Sequence, residues 1–145
     1  MDHVDDYIMV QNLIPTSLCR SLIRESSLPE KKWSKHSWYN YGRDDLSSMP
    51  DKELDIINST GEQFQSLGEY LGKALQNYQQ KYSSDGKEKA GARWIKNISQ
   101  VRFNRYKVGT KMRTHYDHIQ SLFDGKLKGI PIISIVGLLN DNYEG

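Results

Sequence analysis

The chain of 145 residues is long enough for one domain with a hydrophobic core, and its 37% hydrophobic and 26% charged residues are ordinary for a globular protein. The net charge of +2 does not favour a protein that binds nucleic acid or membranes through bulk charge, and no apolar run approaches the roughly 20 residues that span a bilayer. The single cysteine, Cys19, excludes an internal disulfide and, without a recognisable signal peptide, favours a reducing, cytoplasmic location.

The first two predicted elements are a strand and a short helix. Apolar residues predict the strand over residues 7–14, and Pro15 ends it. Thr16 or Ser17 can then cap a helix that reaches about Ser26. The apolar spacing also predicts that Cys19 is a small buried residue rather than a reactive thiol. The remaining residues predicted on the buried face of this helix are Leu18, Leu22 and Ile23.

Residues 28–50 are predicted to form a loop in which aromatic and basic residues alternate. Such a mixture can bind nucleic acid, but aromatic side chains more often pin a long loop onto the core. After the loop, apolar residues three and four positions apart predict a long helix over residues 51–82. Because only one face of this helix is apolar, it should back a sheet or another helix. A linker-like stretch follows at residues 83–91.

The last third of the chain predicts strands. Residues 98–107 alternate with period two, and their second face, which includes Tyr106, is polar enough either to line a pocket or to be solvated. Residues 108–110 predict a turn around Gly109. Residues 130–139 predict a strand that is buried on both sides, with Ser134 as its one hydroxyl. This order of elements predicts an α+β fold with helices packed outside a sheet.

A histidine and a carboxylate two residues apart, His115 and Asp117, are the candidate metal ligands. In an extended segment their side chains point to the same side, so both can bind one ion. Two histidines and one carboxylate are the usual protein ligands of non-haem Fe(II) oxygenases. The same spacing occurs at His3 and Asp5, but this acidic terminus has no supporting context and we interpret that pair as solvated.

The context of His115 and Asp117 is more specific. Tyr106 precedes the histidine by nine residues, Gly109 makes the turn between them, and an apolar strand and an acidic Glu144-Gly145 follow. In this order, residues 100–145 resemble the first half of the catalytic domain of the 2-oxoglutarate- and Fe(II)-dependent dioxygenases.

Within that family the sequence is most similar to the prolyl 4-hydroxylase-like branch. Residues 12–14 and 19–23 also resemble, more loosely, the opening strand and helix of the branch. Met112 and Leu138 depart from it, since they occupy places where the branch often has tyrosine.

The resemblance implies a partial double-stranded β-helix, a jelly-roll or cupin-like fold, with supporting N-terminal helices. Residues 1–96 would contain the N-terminal strand, the helices and the substrate loops, and residues 97–145 the first part of the dioxygenase domain. The family's second histidine and the Lys or Arg that anchors 2-oxoglutarate would lie beyond Gly145. The chain alone is therefore expected to be an inactive fragment, or to require a second chain for the missing half.

The resemblance also implies a site and a reaction. His115 and Asp117 would be two of the three Fe(II) ligands. Tyr106 would hydrogen-bond a carboxylate of the cosubstrate 2-oxoglutarate, and Ser134 would lie near it. O2 would then hydroxylate a C–H bond of a peptidyl proline or similar group in a peptide or protein substrate, with succinate and CO2 as products and ascorbate as a further cofactor. Residues 33–45 and 118–128 are where a substrate lid is expected.

Two other functions stay open at this point. One is a catalytically inactive module of the same fold that binds a peptide or another protein. The other is nucleic-acid binding, because residues 87–113 contain nine Lys or Arg and one Glu. The basic residues have an alternative role, since they can balance the acidic side chains and the dianionic cosubstrate, and nucleic acid is therefore the weakest of the three hypotheses.

Overall fold

A computed structural model describes residues 7–40, 45–47, 52–82, 95, 98–115 and 133–141. These residues contain two helices and five short strands, which confirms the α+β class but does not show a double-stranded β-helix. Neither helix is long and apolar enough to cross a membrane. In chain order the elements are α1 (Thr16–Ser26), β1 (Ser34–Lys35), β2 (Trp38–Asn40), β3 (Asp45–Ser47), β4 (Asp55–Asn58), α2 (Gly61–Tyr82) and β5 (Arg102–Arg105).

Two antiparallel sheets organise the described strands. The larger has the order β1-β4-β5, and β2 pairs with β3 in the smaller one. In the larger sheet Asp55 of β4 is paired with Lys35 of β1 on one side and with Arg105 of β5 on the other. A carboxylate therefore lies between two cations in a row across the sheet.

The core joins both helices to the larger sheet. Leu22 of α1, Leu67 of α2 and Phe103 of β5 form its buried cluster. The helices therefore cover the face of the sheet that carries Phe103, as the sequence predicted. The partly buried residues that pack against this cluster are Ile14, Leu18, Trp33, Ile57, Leu71, Val101 and Leu139.

Helix α1 confirms the predicted short helix, with a different N-terminus. Its N-cap is Pro15, and no side chain makes a capping hydrogen bond. Cys19 and Leu22 are buried as expected. Ile23 is exposed instead, because each helical residue is rotated about 100° from the one before and Ile23 turns away from the face of Leu22.

The predicted helix over residues 51–82 is wrong over residues 52–60, which the structure describes as non-helical. Asp55–Asn58 form strand β4, and the helix begins at Gly61. A capping box explains this start, since the Gln63 backbone N–H donates to the Thr60 hydroxyl at 3.3 Å and the Thr60 N–H donates to the Gln63 side-chain oxygen at 3.0 Å. The β-branched pair inside β4 also suits a strand better than a helix.

The predicted strand at residues 7–14 is not formed. This segment lies along α2 and makes hydrogen bonds with the helix in place of a neighbouring strand. The Tyr7 carbonyl accepts a hydrogen bond from the Tyr78 hydroxyl at 3.0 Å. Farther along, the Gln11 amide donates to the Ala74 carbonyl at 3.0 Å. An apolar segment can pair with a neighbouring strand or pack along a helix, so its composition alone does not predict which of the two it does.

The predicted buried strand at residues 130–139 is also wrong where the structure describes it. Residues 133–140 contain no strand, and Val136 is 82% exposed. Leu139 reaches the core, but its neighbours Ile135 and Leu138 are exposed. The continuous run of apolar residues predicted a strand buried on both sides. Of the described residues 133–139, Leu139 is the one that packs against the core cluster.

Strand β5 and the turn after it agree better with the sequence. Phe103 faces the core, while Tyr106, just past the strand, is 54% exposed. Within the part of the chain that the structure describes, the alternate face of residues 98–106 is exposed, which favours the solvated alternative over a pocket lining. The predicted turn is confirmed, because Gly109 has φ +82° and the Thr110 N–H donates to the Lys107 carbonyl at 2.9 Å.

Candidate functional site

A buried carboxylate, Glu53, is the centre of the candidate site. The residue is only 1% exposed. The Trp38 indole N–H donates to both carboxylate oxygens at 3.1 Å, and the Arg113 guanidinium donates to one of them at 2.8 Å. The His36 Nδ1 lies 3.8 Å from the other oxygen. Glu53 thus gathers residues from β2, from the segment before it and from the segment after β5.

The indole ring of Trp38 contacts two imidazoles. Its ring centroid is 4.6 Å from that of His36 and 5.3 Å from that of His115, with both pairs edge-on at 71°. Such edge-to-face pairs are favourable because the positive edge of one ring meets the negative face of the other. Trp38 therefore connects the buried Glu53 to His115, which is exposed.

A second contact sets the orientation of His115. Its Nδ1 lies 2.7 Å from the backbone carbonyl oxygen of Arg113. A carbonyl oxygen only accepts, so this geometry assigns the hydrogen to Nδ1 and, in the neutral ring, the lone pair to Nε2. Histidines that bind metals usually have this arrangement, in which one ring nitrogen donates to a carbonyl or carboxylate and the other binds the ion.

The titration of the buried groups follows from their neighbours. Burial raises the pKa of Glu53, but the hydrogen bonds from Trp38 and Arg113 outweigh it and hold the pKa below its ordinary value. Burial lowers the pKa of His36, and the positive charge of Arg102 lowers it further, although Glu53 opposes the change. At neutral pH Glu53 is therefore ionised and His36 is neutral.

A second buried carboxylate, Asp55, lies two residues away and is 5% exposed. Lys35 lies 2.9 Å from it, and Arg105 and Lys107 each lie 3.0 Å from it. Burial raises the pKa of Asp55, but the hydrogen bonds from these three cations outweigh it and hold the pKa far below its ordinary value. The Arg105 guanidinium also lies 4.2 Å from the centroid of the Trp33 ring.

These two carboxylates explain part of the basic stretch at residues 87–113. Arg105 and Lys107 pair with Asp55, and Arg113 pairs with Glu53. The stretch therefore supplies counter-charges within the fold, which is the role that the sequence suggested.

The structure describes three of the four predicted site residues, His115, Tyr106 and Ser134. His115 lies beside Trp38, whereas Asp117 lies outside the described residues. Tyr106 and Ser134 are both exposed, on the segment after β5 and on residues 133–141 respectively. The described residues contain no group of three or more His, Cys, Asp or Glu side chains that could hold a metal ion. The pairing of His115 with Asp117 therefore stays a prediction.

The start of the predicted substrate lid at residues 33–45 is fixed in place. The Trp33 indole N–H donates to the Ser26 carbonyl at 2.9 Å, and its ring packs against the core cluster. This confirms, for Trp33, that an aromatic side chain pins the loop. Residues 118–128 lie outside the described residues. A separate surface depression along α2 contains none of the predicted site residues and is lined by Leu13, Glu69, Tyr70, Lys73 and Gln76.

Sequence reasoning missed Glu53 and Asp55, because the predicted helix placed both on a solvated surface. A signal for them was present. Thr60 and Gln63 form the pattern of a capping box, which begins the helix at Gly61 and leaves the preceding residues to a strand. Glu53 and Asp55 then lie just before and at the start of a partly buried strand, where carboxylates require counter-charges.

Comparisons with protein-family models, with curated proteins and with solved structures found no match to the chain. The likeness to the dioxygenases therefore depends on the residues named above.

Proposed function

We propose that this chain carries part of the metal site of a Fe(II)- and 2-oxoglutarate-dependent oxygenase that hydroxylates a peptidyl proline or similar C–H group. His115 and Asp117 are the proposed ligands. The observation that supports this most directly is the 2.7 Å contact between His115 Nδ1 and the Arg113 carbonyl. It assigns the lone pair to Nε2, the nitrogen that would meet the ion, in a side chain that is exposed to solvent.

The donor types fit the proposed metal. A neutral imidazole and a carboxylate are ligands that Fe(II) accepts in oxygenases of this kind. When bound, iron and 2-oxoglutarate would supply the redox chemistry that inserts an oxygen atom from O2 into the substrate. The protein's own residues would hold the ion and orient the cosubstrate. Tyr106 suits the second task, because its exposed hydroxyl can donate to a carboxylate.

A metal titration with a matched pair of variants tests the proposal. Mn(II) replaces Fe(II) as an oxygen-stable probe, and binding is followed as loss of the free-ion signal in electron paramagnetic resonance. His115→Ala should abolish the binding, because it removes one of the proposed ligands. His3→Ala removes the other histidine with a carboxylate two residues later, and it should bind Mn(II) as the unaltered protein does.

The same titration includes the cosubstrate. 2-Oxoglutarate should tighten Mn(II) binding in the unaltered protein and in His3→Ala, and Tyr106→Phe should reduce this effect by roughly 10-fold if it loses a hydrogen bond to a charged group. Equal Mn(II) binding by the His115→Ala and His3→Ala variants would rule out the proposed site.

A second candidate function is a non-catalytic interaction module. It is favoured by the neighbouring exposed apolar residues Ile135, Val136 and Leu138, since contiguous exposed apolar surface often marks a protein-binding site. The titration separates the two candidates. A folded protein that binds neither Mn(II) nor 2-oxoglutarate would favour the interaction module.

A further inference from the structure

We infer that Glu53 is a positioning residue that holds His115 in the orientation and tautomer required of a metal ligand. The link to metal binding rests on the proposed function, whereas the link to the conformation of His115 does not. Glu53 makes no contact with the proposed ion in this inference. It acts through two other residues, Trp38 and Arg113, each of which contacts His115 in a different way.

The first connection runs through the Trp38 ring. Both carboxylate oxygens of Glu53 accept the indole N–H at 3.1 Å, so rotation of the ring would break this shared hydrogen bond. The fixed ring then packs edge-on against His115, with centroids 5.3 Å apart. A fixed neighbour on one side limits the rotamers that the imidazole can adopt.

The second connection runs through Arg113. Its guanidinium donates to Glu53 at 2.8 Å, and its backbone carbonyl lies 2.7 Å from His115 Nδ1. The side chain of Arg113 is thus held by Glu53, while its backbone carbonyl contacts the imidazole of His115. Fixing the side chain of Arg113 helps to keep the carbonyl in place, and the carbonyl determines which nitrogen of His115 carries the hydrogen.

The burial of Glu53 makes its hydrogen bonds to Trp38 and Arg113 necessary. A carboxylate that is 1% exposed has little access to water, so its acceptor capacity must be met by these donors. Asp55 is buried to a similar degree, but its contacts lead to Lys35 and Arg105 on the larger sheet and to Lys107 just after β5. The two carboxylates therefore form a matched pair, in which Glu53 alone is bonded to both of the supports of His115 named above.

The test compares Glu53→Gln with Asp55→Asn. Glutamine keeps the shape but replaces one acceptor oxygen with an NH2 group and removes the negative charge. Its remaining oxygen can still accept, but the indole N–H then faces a second donor and the guanidinium loses its counter-charge, so both contacts weaken. Long-range 1H–15N correlation spectra of the metal-free protein at one neutral pH report the tautomer of His115. We expect the Nδ1–H form to dominate in the unaltered protein and in Asp55→Asn, and the two tautomers to become mixed in Glu53→Gln.

Mn(II) affinity provides the second readout. Glu53→Gln should weaken it by roughly 10-fold, as is usual for a residue that supports a ligand from outside the coordination shell. Asp55→Asn should leave the affinity unchanged. A folded Glu53→Gln variant that keeps the Nδ1–H tautomer would overturn the inference, and so would an equal change of tautomer in Asp55→Asn.

A third variant keeps the test decisive if Glu53→Gln does not fold. Trp38→Phe retains a six-membered aromatic ring but removes the N–H that Glu53 binds, and it should mix the tautomers of His115 as well. An unchanged tautomer in this variant would count against the inference. If the unaltered protein binds no Mn(II) but Glu53→Gln still mixes the tautomers, the positioning role is supported and the proposed oxygenase function fails.

Discussion

Two buried carboxylates, two residues apart, are neutralised in different ways. Asp55 has three cations within 3.0 Å, and all of them reach it from strands of the larger sheet or the residues next to them. Among the described residues, Glu53 has one permanent cation within 4.0 Å, Arg113, together with the indole N–H of Trp38. The Asp55 cluster is therefore redundant, whereas the Glu53 cluster depends on each donor. A cluster such as that of Glu53 is suited to positioning a neighbouring side chain, because the loss of any one contact changes the arrangement of the others.

Arg113→Met should have the largest effect on stability. It leaves an almost fully buried carboxylate without its permanent counter-charge, and breaking a buried ion pair from one side costs about 3 kcal/mol or more. The Trp38 N–H remains, so the low end of that range is expected. Urea unfolding at pH 7 measures the loss.

The same variant predicts a change in titration. Without Arg113, burial is the largest influence on the pKa of Glu53 and is opposed mainly by the Trp38 N–H, so the pKa should rise above its value in the unfolded chain. Stability should then recover partly as the pH falls toward 5 and Glu53 takes up a proton. A loss below about 1 kcal/mol, with no such recovery, would mean that Glu53 is as redundantly neutralised as Asp55.

A smaller effect on the free energy of unfolding is expected from the protonation of His36, which makes the Glu53 cluster less stable in mild acid. Its pKa is lowered in the folded protein, so the unfolded chain binds the proton more readily. The stability from neutral His36 is present above pH ~6.5 and is lost as the pH falls toward the lowered folded value. One proton gives a slope of at most about 1.4 kcal/mol per pH unit.

The variant His36→Gln should reduce this slope between pH 7 and 5 in urea unfolding. The change in slope is the measure, because the substitution also removes the edge-on contact with Trp38 and lowers stability at every pH. Lys107→Met, in the Asp55 cluster, is the control and should keep the slope of the unaltered protein. An unchanged slope in His36→Gln would show that His36 does not titrate differently on folding.

The local features of the fold were the ones that the sequence predicted well. Helix α1 and the turn at Gly109 depend on neighbours close in the chain, and the apolar spacing within α1 was enough to predict that Cys19 and Leu22 are buried. The start of α2 was predicted wrongly although its capping box was readable. Leu54 and Ile57 are three residues apart and imitate a helical face, while β4 gains its ladder from β5, far away in sequence.

The candidate site was predicted less completely for the same reason. The pair His115 and Asp117 was recognised by spacing and context, but the support of His115 comes from distant segments. Glu53 and Arg113 are 60 residues apart in the chain. Charge pairing over such distances depends on the register of the strands. That register could not be predicted, because the apolar pattern had assigned strand β4 to a helix.

The smallest effect should come from Lys107→Met in the Asp55 cluster, and it sharpens the comparison most directly. The Lys107 side chain is 59% exposed, and Lys35 and Arg105 still hold the carboxylate when it is gone. We expect a loss below about 1 kcal/mol in urea unfolding at pH 7, and one that shrinks further at high salt because exposed charges are screened.

Arg113→Met should change less with salt, since the group it leaves uncompensated is buried. A cost for Lys107→Met as large as that for Arg113→Met would mean that the three cations act as one unit. Asp55 would then be no more tolerant of losing a partner than Glu53, and the number of cations around a buried carboxylate would not explain which of the two can support a neighbouring histidine.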